Sequence, residues 1–380
     1  MKSYVGMALG LAIGLAAGMV PIAAQQGPNR EGSETVAKPR QKGEKAAETT
    51  PEGPKIPSRF DKSKQQPLPG GVPSFKSDVV AVTVDVAVLD NRGHFIPNIP
   101  RGNFRILEDS VPQLVTGFNF GEAPMTVSMV IEFSNLFQRY WTETWYQTLS
   151  AAYGFLETLK PEDYVAIRAY DMRPETLCDF TTDKREAYEA MRRLQIPGFS
   201  ESNLFDALTD TAQRMSDIEG RKAIVLVASG VDTFSKLTFD KTRRIMQEAG
   251  VPVYAIGLMQ AIRERYDAYG MLGPIARLDF LQADNQMNTF ARETGGMAFF
   301  PRFYGEFPGI FRAISEALRH QYVLSYSPAN QVRDGKFRKI KVDLVNPATG
   351  QPLPIKDEKG KPIKYHVIAK NGYTAPREVE

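Results

Sequence analysis

Ser229-Gly230 follows the apolar run 223–228 (AIVLVA) and looks like half of a nucleophile elbow, the turn from which a serine can attack a carbonyl. The other half is missing. Val227 stands where a Gly-x-Ser-x-Gly frame needs glycine, and no spacing brings His94, His320 or His366, the three histidines, to Ser229 as a base. A phosphate cradle needs a glycine-rich turn that opens a helix. Gly295-Gly296 instead closes the helical pattern 287–294 and reads as its stop. Two carboxylate pairs could pass for acid–base dyads. Glu108-Asp109 lies in a strand pattern, where adjacent side chains leave on opposite faces, and Glu162-Asp163 reads as a loop after Pro161. The lone Cys178, in TLCDF, reads as a small buried hydrophobe, and one cysteine excludes a disulfide or a Cys-built zinc cluster within the chain. The expectation is a protein that is not an enzyme and has no resident cofactor.

What remains is recognition. Phe137, Tyr140, Trp141, Trp145 and Tyr146 crowd one stretch. Trp141 and Trp145 at i, i+4 fit the buried face of a helix, while Phe137 and Tyr140 fall at its start, where exposed aromatics would anchor a protein partner. Residues 260–284 are longer than a strand-to-helix link requires and carry Arg263, Arg265, Tyr266, Tyr269 and Met271. A segment of that length either binds something or caps a sheet edge. Nucleic acid is not the expected partner, because 47 basic against 44 acidic residues leave only +3 over 380 residues.

Three folded stretches must position these groups. Residues 79–88 alternate valine with smaller or polar residues, Asp90-Asn91-Arg92-Gly93 is a hairpin turn, and strands follow at 104–109 and 115–120. These short strands at 78–122 predict part of a small β-sandwich. After Pro124 strand and helix alternate. Buried strands are expected at 125–131, 164–170, 223–228 and 253–258, with helices at 141–159, 203–215, 245–250, 287–294 and 307–319. Short strands at 297–300 and 322–326 close a layered α/β domain spanning 125–328, its sheet mostly parallel. Strands at 339–345 and 365–369, with a solvated hairpin tip at 357–361, place the tail 336–376 back in the sandwich. The α/β domain is then an insertion between the sandwich's halves.

Ahead of all this, Lys2, the apolar run 4–20 and the small residues Ala23-Ala24 have the layout of a signal peptide over residues 1–24. An uncleaved anchor is the second reading, since a run of about 17 residues sits at the short edge of what spans a bilayer. Residues 25–74 are rich in Pro, Gly, Lys, Glu and Gln and are expected to be a disordered linker. The protein is expected to be exported, periplasmic or secreted; on the second reading the uncleaved segment is a membrane tether.

Glu132-Phe133-Ser134 after an apolar strand, a Gly-x-Ser loop leading into Asn203-Leu204-Phe205-Asp206-Ala207, and Ser229-Gly230-Val231-Asp232 after a buried strand together resemble the von Willebrand factor A fold. The flanks FRILEDSVPQLVTGF, YVLSYSPANQVRDGKFRKIKV and AKNGYTAP are similar to the VWFA-related family described from acidobacteria, over residues 78–376. The resemblance implies a doubly wound, mostly parallel von Willebrand factor A-like sheet inserted into or flanked by a small β-sandwich. It also implies a metal-ion-dependent adhesion site for Mg²⁺ or Mn²⁺, built from Asp-x-Ser-x-Ser, a threonine and an aspartate. Here Glu132 takes the first acidic position, Ser134 is kept, Leu136 replaces the second serine, Ser202 the threonine and Ser229 the aspartate. Two readings follow: improvised metal ligands Glu132, Ser134, Ser202 and Asp232, or loops that keep their shape without the ion. Leu136 and the missing carboxylate favour the second. The expected function is non-enzymatic protein binding or scaffolding through Phe137, Tyr140 and Ser229. The alternatives are a working Mg²⁺/Mn²⁺ adhesion module and a tethered envelope component. The partner is an unnamed protein.

Overall fold

The computed structural model describes residues 81–134, 141–194, 199–271, 273–356 and 359–377. The expected leader and linker, and Leu136, Phe137 and Tyr140, lie outside the described residues.

A six-stranded sheet forms the centre of the α/β layer. It is built from β5 (Met125–Glu132), β6 (Tyr164–Tyr170), β7 (Pro174–Thr181), β8 (Arg221–Ala228), β9 (Val253–Gly257) and β10 (Ala298–Phe299). Their order is β10-β9-β8-β5-β6-β7, with every pair parallel except β7, which returns antiparallel to β6 along one edge. Strand alternation sends β5 to both faces. Val127, Met129 and Ile131 pack with residues of α1 (Trp141–Glu157) and α7 (Phe307–Arg319), among them Phe155, Phe311 and Ile314. Val130 joins Leu208 of α3 (Leu204–Met215) and Met246 of α4 (Phe239–Ala249) on the opposite face. This is why the strand reads as a nearly unbroken apolar run.

Two sheets make the sandwich. One has the order β15-β1-β11-β4, from β1 (Val82–Asp90), β4 (Val115–Glu122), β11 (His320–Tyr326) and β15 (Tyr365–Ala369). The other, β16-β12-β2-β3, uses β2 (Phe104–Glu108), β3 (Val111–Gln113), β12 (Phe337–Leu344) and β16 (Gly372–Thr374). Val84, Val86, Ile106, Leu324, Tyr326 and Val342 fill the space between them. A short hairpin of β13 (Ile355–Lys356) and β14 (Pro362–Ile363) projects from the tail. The α/β layer is thus inserted between β4 and β11, the architecture expected from the sequence.

Three assignments change. The strand at 322–326, expected to close the α/β domain at 328, belongs to the sandwich, where β11 pairs antiparallel with both β1 and β4. Its buried Tyr322, Leu324 and Tyr326 alternate with less buried residues, the signature of a half-buried sandwich strand. The long segment after β9 is helical, with α5 (Gln260–Ala268) followed by α6 (Pro274–Thr294), so the helix expected from 287 starts thirteen residues earlier. A further helix, α2 (Lys184–Arg192), is capped by Asp183, which accepts the Arg185 N–H at 2.9 Å. No helix among the described residues is long and apolar enough to cross a membrane.

Candidate functional site

Parallel pairing sets the ends of β5, β6 and β8 side by side, with Glu132 opposite Tyr170 and Ile131 opposite Val227. Glu132 therefore meets Ser229, one residue beyond β8. Its Oε2 accepts both the Ser229 N–H, at 2.7 Å, and the Ser229 hydroxyl, at 2.8 Å. The Ser134 hydroxyl donates to Oε1 at 2.8 Å. Burial pushes the Glu132 carboxyl above its ordinary range, and these hydrogen bonds only partly offset it. No Lys, Arg or His pairs with it among the described residues.

Tyr170 fills the centre. It is buried, and burial followed by the charge of Glu132 holds its phenol well above the ordinary value, with Asp232 adding to the effect and Ser202 opposing it. Neither the Tyr170 hydroxyl nor Ser202 Oγ has a well-aligned hydrogen-bond partner among the described residues. Sequence reasoning missed Tyr170, although it ends the strand next to Glu132 and the pairing of two buried parallel strands could have flagged it.

Asp232 serves the backbone. Its Oδ1 accepts the Ser235 hydroxyl at 2.5 Å and the Phe205 N–H at 3.2 Å, in the first turn of α3. Burial raises its carboxyl too, against these donors. Ser235 Oγ also accepts the N–H groups of Phe205 and Asp206, at 3.1 and 3.2 Å. Asp206 in turn takes the N–H groups of Lys236 and Leu237, both at 3.0 Å. Thr233 accepts the Ser202 N–H at 2.9 Å and donates to Glu201 at 2.6 Å. The loop after β8 is thereby stapled to the start of α3, where carboxylates also suit the helix dipole. Gly230 has φ +83°, and a Cβ there would stand 2.5 Å from Met287 Cε, so this turn demands glycine.

The structure gathers Glu132, Ser134, Ser202, Ser229 and Asp232 at one end of the sheet. It also corrects Ser229 as a contact residue. The side chain is 6% exposed and its hydroxyl is spent on Glu132. As a magnesium site the set offers two carboxylates, both already engaged by protein donors. The ion wants oxygens with free lone pairs and carboxylate charge. Here both Glu132 oxygens and Asp232 Oδ1 already accept protein donors. Among the described residues no group of three or more His, Cys, Asp or Glu side chains is placed to hold a metal.

Residues 138–299 match the family model for the von Willebrand factor type A domain. The inserted layer carries a von Willebrand factor type A domain over those residues. The matched range begins beyond Glu132 and Ser134, so these two residues are not part of it. Among curated proteins no relative matches the chain. Solved structures similar to it include the proximal thread matrix protein 1 of the mussel byssus, at 11% identity and TM-score 0.38, covering 52% of this chain and 49% of that one. The type V pili tip protein of Porphyromonas gingivalis aligns through its own A domain at 13% identity and TM-score 0.39, covering 52% and 97%. A von Willebrand factor type A protein from Catenulispora acidiphila aligns at 12% identity and TM-score 0.40, covering 79% and 76%. The chain spans about half the length of the mussel protein it matches.

Proposed function

We propose that this is an exported, non-enzymatic binding or scaffold protein whose A domain engages a protein partner without a metal ion. The observation that supports the reading most is the closed network at the ends of β5 and β8. Its carboxyl groups are committed to Ser134, Ser229, Ser235 and backbone N–H groups, so the loops hold their shape with no cation. Ligands of open α/β sheets dock beyond the carboxyl ends of the strands. Near that end the side chain of Phe234 is exposed, as are Leu278 and Leu281 on α6, which supplies apolar contact area that the buried Ser229 cannot. Lys2 and the apolar run 4–20 support export, and an uncleaved segment would keep the A domain at the envelope.

The test places a photo-crosslinking residue at Phe234 or at Leu281 of the full chain in its native envelope. A discrete protein adduct that survives EDTA is expected. Adducts that vanish in EDTA would make this a metal-dependent adhesin, and none at either position would remove this face from the function.

A further inference from the structure

On the same face of the sheet as Tyr170, α3 and β7 leave a cavity of about 330 Å³ against β5 and β6. Its floor holds two polar side chains with unmet hydrogen-bonding groups. Ser128 is 1% exposed, and its Oγ has no partner among the described residues. Arg168 is 4% exposed; its Nη2 bonds Asp210, while its Nε has no partner among the described residues. Asp210 is itself shared with Arg214 Nε at 3.3 Å, so one carboxylate serves two guanidinium groups. The β6–β7 register slips between Ile167 and Arg168, and an irregularity of that kind re-aims a side chain.

Buried polar groups without partners are rare because each forfeits its hydration, and two of them in one cavity mark a place where an acceptor belongs. Arginine is the side chain best shaped to receive a carboxylate. Phe180, Met215 and Ile218 line the walls, while the exposed Asp179 and Asp217 stand at the edge. Those edge charges attract an ammonium group, while Arg214, also in the lining, is held by Asp210. The volume lies at the small end of ligand pockets. We propose that this cavity binds a small apolar α-amino acid, with its carboxylate on Arg168 and Ser128, its side chain against Phe180, Met215 and Ile218, and its ammonium toward Asp179 and Asp217. The site is separate from the partner face and stands or falls independently of it.

The test is calorimetric titration and thermal unfolding of the full chain with leucine, with 4-methylpentanoate, which lacks the ammonium, and with isoamylamine, which lacks the carboxylate. Leucine is expected to bind and raise the unfolding midpoint by mass action, with each analogue weaker by about tenfold, the worth of a charged hydrogen bond. Ser128→Ala is expected to fold with an unchanged or higher midpoint, since it deletes an unpaired hydroxyl, and to weaken leucine several-fold. Arg168→Lys is expected to abolish binding. No heat and no shift with millimolar leucine would make the cavity a water pocket and overturn the proposal. So would leucine affinity unchanged in Ser128→Ala. 4-Methylpentanoate binding as tightly as leucine would overturn the role given to Asp179 and Asp217.

Discussion

The two ends of the central sheet each bury a carboxyl group, and they solve the problem differently. At the end facing the sandwich, Asp163 accepts the Met125 and Lys160 N–H groups, at 3.1 and 2.7 Å, and pairs with Arg319 Nη2 at 2.7 Å, both side chains almost wholly buried. Arg319 ends α7 just before β11 enters the sandwich, so this ion pair fixes the point at which the chain leaves the inserted layer. At the other end Glu132 has hydroxyl and backbone donors but no cation among the described residues. A buried charge is tolerable when a counter-charge compensates it, whereas burial without one pushes an acid toward its protonated form, with hydrogen bonds to its oxygens opposing the shift. The first end is an electrostatic rivet, and the second is a hydrogen-bonded clasp without a counter-charge among the described residues.

Breaking the rivet gives the largest expected effect. Arg319→Leu leaves Asp163 buried without its cation and is expected to cost about 3–5 kcal/mol of stability in urea unfolding. A loss below about 1 kcal/mol would mean that the two ends do not differ in kind. Next comes the staple on α3. Ser235→Ala removes the acceptor for the Phe205 and Asp206 N–H groups and is expected to cost about 1 kcal/mol, as a lost helix cap does.

A smaller effect separates the clasp by its pH dependence. Because the folded Glu132 carboxyl titrates above its unfolded value of 4.5, the native state holds a proton that the unfolded state has released across the window between the two. Its stability contribution is full below the unfolded value and is lost as pH rises through the folded one. Glu132→Gln removes that loss, so its midpoint should gain on the wild type as pH rises from 4 to 8. A wild-type advantage growing with pH would show instead a stabilised carboxylate. The smallest effect expected is none. Millimolar Mg²⁺, Mn²⁺ or Ca²⁺ should leave the thermal midpoint of the full chain where EDTA leaves it. A rise of several degrees, lost in the double variant Glu132→Ala, Ser134→Ala, would turn the clasp into a metal site.

Much of the fold could be read from pattern. β6, α7 and β15 begin and end within two residues of their expected limits, because each combines an unambiguous period with a clear breaker. β11 could not be assigned to its sheet, since a short apolar run carries no information about which neighbour it pairs with. The first half of α6 was hidden by its mixed surface, where Arg277, Asp279 and Gln282 interrupt the apolar period and Leu278 and Leu281 face solvent. At the site, Glu132, Ser134, Ser202, Ser229 and Asp232 were brought together only by the resemblance to the von Willebrand factor A fold, not by spacing or periodicity. Which groups would be exposed was not legible. Ser229 disappears behind Glu132, Tyr170 moves into the middle, and Ser235 becomes a cap, all through contacts between residues far apart in the chain.

The pairing of Glu122 with His320 puts the departure and return of the inserted layer on adjacent strands of one ladder. Everything between them enters and leaves the sandwich through a single covalent doorway, although Ala87, Leu89 and Ile368 of the sandwich also pack into its core. A recombination joining these two points by a short turn would excise the whole A domain and leave a continuous hairpin in its place. The reverse event would install one in a single step. The host sandwich is therefore a chassis whose cargo can be exchanged by inheritance without redrawing the frame that carries it.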